Sequence, residues 1–288
     1  MREIIFAQTR HWYDSYTDYI SLSKLAGFKQ CYIDEIDLEK DVIYVASPIN
    51  GEFRPHIDNW RDKKKKNCTI CYWNLERPCG NGGADSEKKR TKYHVGNVEL
   101  IDKRYADYVW ISDKGLAESH KHSKIHHMVL GSHPDLRETK VDLPKSYDFS
   151  HLSYLSHRRS LIIDRLRVNG IRVAPTAWKT ERDNILNKSK FMVGVHQDED
   201  HFIEPLRFSL AAAYKLPYIS EQLWNSLPLI VNEDFVQVDH TNLIKFITEA
   251  IHNYDSYIRL GENLHQKLCY EHEFGKMVRN FCSSQGLS

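Results

Sequence analysis

Three stretches of the sequence concentrate groups able to move protons or meet anions: QTRHWYDSY (8–16), SPINGEFRPH (47–56) and WNLERPCG (73–80). They hold Asp14, Glu52 and Glu76, carboxylates that can take a proton from a hydroxyl, beside Arg10, Arg54, His56 and Arg77. Each acid has an arginine close by in sequence, so an ion-pair role competes with a catalytic one. A fourth stretch, HQDEDHFIEPLRFSLAAAYKLPYISE (196–221), places Glu204 and Arg207 one turn apart at the mouth of a helix whose other residues are small or apolar. In structural terms the pair is a first-turn carboxylate complementing the helix dipole, with the arginine as its partner. What a packing helix gains from two charges at its start depends on the elements around it.

Other groups point to weaker chemistry. Cys68-Thr-Ile-Cys71 has the spacing of a zinc knuckle, with Cys79 and His94 further on, but NCTICYWNLE has the composition of a strand. A strand sends residues i and i+3 to opposite faces, which argues for buried thiols rather than a shared metal. Six cysteines in 288 residues are too sparse for a disulfide scaffold. Near-neutral totals, 40 Lys and Arg against 39 Asp and Glu, hide an asymmetry: residues 54–127 hold 16 against 10, a net +6, and the remainder 24 against 29. The basic window contains Lys63, Lys64, Lys65 and Lys66, the 88–90 run KKR and six histidines, a composition that attracts polyanions such as DNA. A solvated helix end and a loop would have the same composition.

These groups must be positioned by the elements around them. Short apolar runs alternate with amphipathic stretches: strands over 3–9, 30–36, 42–48, 68–75, 107–113 and 124–131, and helices over 13–27, 57–66 and 95–105. Such alternation predicts a mostly parallel sheet covered by helices. A polar stretch with two prolines, 132–150, reads as a linker. The alternation then restarts, with strands over 150–156, 171–175, 190–196 and 216–220, and helices over 159–169, 181–189, 203–214, 240–253 and 255–273. The expected fold class is α/β: two Rossmann-like domains, residues 1–135 and 150–288, with a cleft between them. No apolar run approaches the roughly 18 residues of a membrane-spanning helix, and MREIIFAQTRHW puts charge where a signal peptide is apolar, so a cytoplasmic protein with no membrane partner is expected.

The second half resembles the donor-binding domain of GT-B glycosyltransferases, in the branch with spore-maturation-type enzymes. YLSHRRSLIIDRLRVNGIRVAP, ERDNILNKSKFMVGVHQDE and EPLRFSLAAAYKLPYIS carry the likeness over about residues 150–235. The resemblance implies a nucleotide-sugar donor such as UDP-glucose, held at the carboxyl ends of the strands where helix N-termini meet phosphates. It assigns Arg158, Arg159 and Arg207 to the phosphates, Glu204 to ribose hydroxyls, and His196 to a supporting contact. The sequence departs from the pattern at Leu210, where many GT-B enzymes carry a ribose-binding glutamate, so Glu204 substitutes from an earlier turn. The triplet Asp198-Glu199-Asp200 suggests the metal-binding Asp-x-Asp of GT-A enzymes, but it falls late, in a second βα unit, and no metal is expected.

The first domain is then left to bind the acceptor and supply the base, with Asp14, Glu52 and Glu76 as candidates. Trp12, Tyr13, Tyr16, Phe53, Trp60 and Trp73 flank these segments, mostly as core and in part as stacking surfaces. SPINGEFRPH and WNLERP are similar to loops of bacteriophage glycosyltransferases, some of which modify hydroxymethylated pyrimidines in DNA. That likeness implies 5-hydroxymethylcytosine in DNA as the acceptor, with Arg10, Arg54, His56, Lys63 to Lys66 and Arg77 as DNA contacts. A glycan, protein or small-molecule acceptor, or a binding protein without catalysis, are the alternatives.

Overall fold

The computed structural model describes residues 2–8, 17–46, 64–75, 86–139, 141, 143–153, 155–177, 179–196 and 201–287. Arg10, Asp14, Glu52, Arg54, His56, Lys63, Glu76, Arg77, Cys79, residues 57–63 of the expected helix 57–66 and the acidic triplet 198–200 lie outside those residues, and the last three positions of that helix, 64–66, are not helical. The chain divides into two compact units, Met1–Val129 together with Phe274–Ser288, and Leu130–Glu273.

In the first unit β1 (Glu3–Gln8), β2 (Lys29–Tyr32), β3 (Val42–Ala46), β4 (Thr69–Asn74), β5 (Tyr108–Ile111) and β6 (Ile125–His127) form one parallel sheet in the order β2-β1-β3-β4-β5-β6. β3 and β4 are buried at every position. A strand covered on both faces has no polar side to alternate with, which is why these segments read as near-continuous apolar runs. Helices α1 (Thr17–Leu25), α2 (Ser86–Asp102) and α3 (Lys114–Ser119) complete the βα alternation. Asp113 caps α3 by accepting the Leu116 amide at 2.8 Å. Helix α2 starts at Ser86 rather than near 95, because its charged opening SEKKRTK carries no apolar period. The expected strand 124–131 shortens to β6. Cys68 and Cys71 are buried free thiols, and burial pushes the Cys68 thiol up to about 11.

The closing helix Phe274–Ser284 belongs to this unit, not to the second domain as its place in the 150–288 range implies. Phe274 stacks on Trp73 with ring centroids 5.7 Å apart, and Trp73 meets Trp110 edge-on at 5.2 Å. Trp73 is therefore wholly core.

In the second unit β7 (Tyr147–Ser150), β8 (Ser189–Gly194), β9 (Tyr218–Glu221) and β10 (Val236–Val238) are parallel in the order β10-β9-β8-β7. Helices α4 (His157–Val168), α5 (Lys179–Asn187), α6 (Pro205–Ala213), α7 (Leu243–His252) and α8 (Ile258–Gln266) pack around them. The chain leaves β7 through α4 to a single parallel bridge between Val173 and Phe149, then returns through α5 to β8 on the other side of β7. This reversal makes the carboxyl ends of β7 and β8 a topological switch point, the place where open α/β sheets bind ligands.

Several boundaries differ from the sequence expectation. The first strand of this unit is 147–150, not 150–156, because Asp148 makes the segment look like loop. Asp148 is nevertheless buried, with Arg172 at 2.8 Å and Lys190 at 3.1 Å. Burial alone raises a carboxyl pKa, but these partners outweigh it and bring Asp148 down to about 2. The expected linker is also packed. Ser132 Oγ donates to the Ser209 carbonyl at 2.7 Å, Ser209 Oγ to that of Gly131 at 2.9 Å, and the amides of Glu138 and Thr139 to Asp183 at 3.1 and 3.2 Å. Past β9, Val231 and Phe235 form an isolated parallel bridge, and β10, for which no strand is expected from the sequence, follows it. No helix among the described residues is long and apolar enough to cross a membrane.

Gly261, on α8, is where that helix lies against the turn 215–217: an added Cβ would overlap the Lys215 carbonyl and sit 2.9 Å from the Pro217 nitrogen. Gly261→Ala is expected to lower stability by about 1–3 kcal/mol through overpacking against backbone. Gly96→Ala, in α2 with nothing within 4 Å of the added carbon, should instead stabilise by roughly 0.5–1 kcal/mol through helix propensity. Chemical denaturation of the two variants checks both signs.

Candidate functional site

Beyond Gly194 the chain leaves the β8 ladder while still buried, so its backbone groups need new partners. Side chains from neighbouring elements supply them. Arg159, near the start of α4, donates Nε to the Val195 carbonyl at 2.8 Å, and Arg207 on α6 reaches the same oxygen at 3.4 Å. Arg158 donates to the His196 carbonyl at 2.8 Å, and Glu221, the last residue of β9, accepts the His196 amide at 2.6 Å.

The same charged groups pair with one another. Arg158 forks onto both carboxylate oxygens of Glu221, one contact being 2.9 Å. Glu204 lies between Arg159, at 2.8 Å, and Arg207. The Glu221 side chain is 3% exposed and that of Arg159 3%, whereas Arg158 is 25% exposed and so is the guanidinium nearest solvent. Among the described residues the cluster thus joins three guanidinium groups, which stay charged at every accessible pH, to the carboxylates of Glu204 and Glu221.

Helix starts add to this. Ser156 caps α4, its Oγ accepting the Arg159 amide at 3.3 Å, and α6 opens on Pro205 directly after Glu204. The Glu204 carboxylate makes no capping bond and instead faces the two arginines. The simple reading of Glu204 as a solvent-exposed dipole partner thus holds only for its pairing with Arg207. Leu210, at the position of the family glutamate, is 3% exposed in the core.

His151, the first residue past β7, donates Nδ1–H to the Val193 carbonyl at 3.0 Å, and Ser153 Oγ meets its Nε2. The pair has the layout of a nucleophile and base, but burial first, then the charges of Arg207 and Arg159, bring this imidazole down to about 3. A ring that resists a proton so strongly is a poor general base. It acts as a neutral spacer under the arginines. His196 is likewise held below the ordinary histidine range by burial.

All five residues expected at the donor site, Arg158, Arg159, His196, Glu204 and Arg207, converge here. Glu221, His151 and Ser153 escaped the sequence reading. An acidic residue ending the apolar run LPYIS was the available signal for Glu221. In the first unit, Lys64 is withdrawn onto Asp107, its side chain 11% exposed, while Asp107 also accepts the Ile70 amide at 2.8 Å. Lys65 forms an exposed pair with Glu39 at 3.2 Å, and Lys66 is exposed. Of the expected basic run, Lys64 is therefore committed to packing, because an ammonium buried at that depth needs a carboxylate.

No protein-family model matches the chain. It is 27% identical over 115 residues to Uncharacterized protein L140 of Acanthamoeba polyphaga mimivirus, covering 38% of this chain and 36% of that protein. It is 34% identical over 90 residues to Uncharacterized protein L138 of the same virus, covering 30% of this chain and 10% of that protein. The matches thus span about a third and a tenth of these relatives. Among solved structures, the fold is similar to Anabaena HepE in complex with UDP-glucose, with a TM-score of 0.67 at 9% identity, covering 99% of this chain and 100% of that one. It is similar to the sucrose-phosphate synthase of Thermosynechococcus elongatus, with a TM-score of 0.63 at 13% identity and complete coverage of both, 100% and 100%. AviGT4, a glycosyltransferase involved in avilamycin A biosynthesis, gives 0.57 at 10% identity over 99% of this chain and 97% of that one. At such identities the likeness is one of fold, and the fold is that of the GT-B glycosyltransferases, two Rossmann-like units each built on a parallel sheet.

Proposed function

We propose that this chain is a glycosyltransferase that moves a sugar from a nucleoside-diphosphate sugar, UDP-glucose or a close relative, to a hydroxyl. The observation that carries this reading is the cluster of three arginines at the switch point of the second sheet, beside two helix starts. Arg158, the most accessible guanidinium, takes the diphosphate, while Arg159 and Arg207 stay locked on Glu204 and orient the loop. The complex of HepE with UDP-glucose supports the choice of donor.

In the reaction the acceptor oxygen bonds to the anomeric carbon, the bond from that carbon to the phosphate oxygen breaks, and UDP leaves with the electron pair. The acceptor proton goes to a carboxylate, for which Asp14, Glu52 and Glu76 remain the candidates. They belong to segments that follow β1, β3 and β4, strands whose carboxyl ends share one sheet edge. The finer proposal for the acceptor is 5-hydroxymethylcytosine in DNA, supported by the +6 charge of residues 54–127 even with Lys64 paired. No metal is required in this reading.

The donor assignment predicts that Arg158→Ala weakens UDP-glucose binding by about 1.5–3 kcal/mol, the range of a charge-assisted hydrogen bond, while uridine binding changes little. Arg158→Lys should fall between. Calorimetric titration decides, and equal UDP-glucose affinity in all three proteins sinks the assignment.

For the transfer step, Asp14→Asn, Glu52→Gln and Glu76→Gln should include one variant with kcat down by ~10²-fold and donor affinity intact, with EDTA without effect on the wild-type rate. Nucleoside mass spectrometry with hydroxymethylated and unmodified DNA, and with glycan acceptors in parallel, identifies the acceptor. Sugar on the glycans alone overturns the DNA proposal. Salt-dependent DNA binding and transfer to the modified base support it.

Stability should follow acid through His151. The unfolded chain takes up this proton near the ordinary histidine value of 6.5 and the folded chain only near 3, so the contribution is complete above pH 6.5 and is lost as pH falls between the two. The loss from this group is about 2 kcal/mol at pH 5. His151→Gln should flatten that slope in denaturation curves across pH 4–7, and an unchanged slope contradicts the assignment.

A further inference from the structure

Two loops at the carboxyl edge of the second sheet are cross-linked by one peptide oxygen. The carbonyl of Gln222, just past β9, lies 3.2 Å from Nε2 of His196 and 2.8 Å from Nδ1 of His201. A carbonyl only accepts, so each of those ring nitrogens carries its hydrogen. In the neutral rings the other two nitrogens, Nδ1 of His196 and Nε2 of His201, are then acceptors. His196 is 3% exposed, and its Nδ1 is buried without a hydrogen-bond partner among the described residues. An acceptor left unmade in a buried place costs stability and calls for an explanation.

Beside these rings stands Trp224. Its amide donates to the His201 carbonyl at 2.7 Å, its indole meets the His201 ring edge-on at 6.3 Å, and the residue is 41% exposed. His201 in turn meets His196 edge-on at 6.3 Å. His196 also gives its backbone oxygen to Arg158, the guanidinium assigned above to the diphosphate.

The chemistry required of a ligand follows from these groups. Ionised phosphate oxygens only accept, so they cannot satisfy an imidazole acceptor, whereas a hydroxyl can. An indole left partly open to solvent offers an apolar face, and a saccharide ring presents hydroxyls on its rim and C–H groups on its face. We propose that His196, His201 and Trp224 form a subsite that recognises the hydroxyl-bearing sugar ring of the donor, next to the Arg158 diphosphate contact. The proposal rests on the nucleotide-sugar reading of this site and adds the residues that select the sugar.

Affinities for UDP, UDP-glucose and free glucose, measured by calorimetry on the full chain, test it. The wild type should bind UDP-glucose more tightly than UDP. Trp224→Ala and His201→Ala should each weaken UDP-glucose by about 3- to 10-fold, the scale of one or two neutral contacts, and leave UDP within twofold. Trp224→Phe, which keeps an aromatic face, should stay close to wild type and guards against a folding artefact in the alanine variant. Equal weakening of UDP and UDP-glucose places these residues at the nucleotide or in the fold and overturns the subsite, as does no change in either. Weakening of free glucose alone assigns the rings to an acceptor sugar and overturns the donor assignment. If the wild type binds neither nucleotide, the nucleotide-sugar reading itself falls, an outcome separate from the variant results.

Discussion

The organising constraint in the second unit is the satisfaction of a strand's backbone after it leaves its sheet. Past Gly194 the β8 chain stays buried, and the Val195 carbonyl and both polar groups of His196 are met by Arg159, Arg207, Arg158 and Glu221. Those four side chains come from α4, α6 and β9, so one short piece of backbone draws three elements together. Because each guanidinium must also be neutralised when buried, Glu204 and Glu221 are as necessary as the arginines. Removing one partner of a buried pair typically costs about 3–5 kcal/mol, since the remaining charge has no solvent to turn to.

The same arrangement explains how a mostly apolar helix tolerates charges at its start. α6 is buried from Arg207 to Ala213. Arg207 is accepted there because Glu204, one turn earlier, and the Val195 oxygen answer its donors. The guanidinium groups keep their charge whatever the pH, and His151 adds none because burial first, and then Arg207 and Arg159, suppress its protonation. Helix starts at a switch point favour anions on general grounds.

How much of this was legible depends on the range of each interaction. Arg158, Arg159, Glu204 and Arg207 could be read because charge at the opening of an amphipathic or small-residue helix is a local signal. The partnership of Arg158 with Glu221 was not, since it spans 63 positions and requires β9 to lie beside β8. His151 and Ser153 were hidden when the strand was placed at 150–156, and that misplacement goes back to Asp148, a charge made compatible with a strand by Arg172 and Lys190. Apolar periodicity recovered β1, β3, β4, β5, β8 and β9, whose apolar runs have few alternatives, but not the short edge strand β10. Charge counting was less informative: it registered Lys64 as basic surface without seeing Asp107, 43 positions away, beneath it.

The Phe274–Ser284 helix gives the chain an unusual order of completion. Its Phe274 ring lies on Trp73, a partner made some 200 residues earlier, and is 6.0 Å from Phe6 and 6.3 Å from Phe28. The first unit is thus written in two pieces with the whole of the second between them, while Leu130–Glu273 is continuous. On a ribosome the inserted unit has all of its own residues before its host does. Until the last helix emerges, the faces of Trp73, Phe6 and Phe28 that receive Phe274 are uncovered, so the nascent first unit presents an aromatic surface to the cell for as long as the second takes to be made.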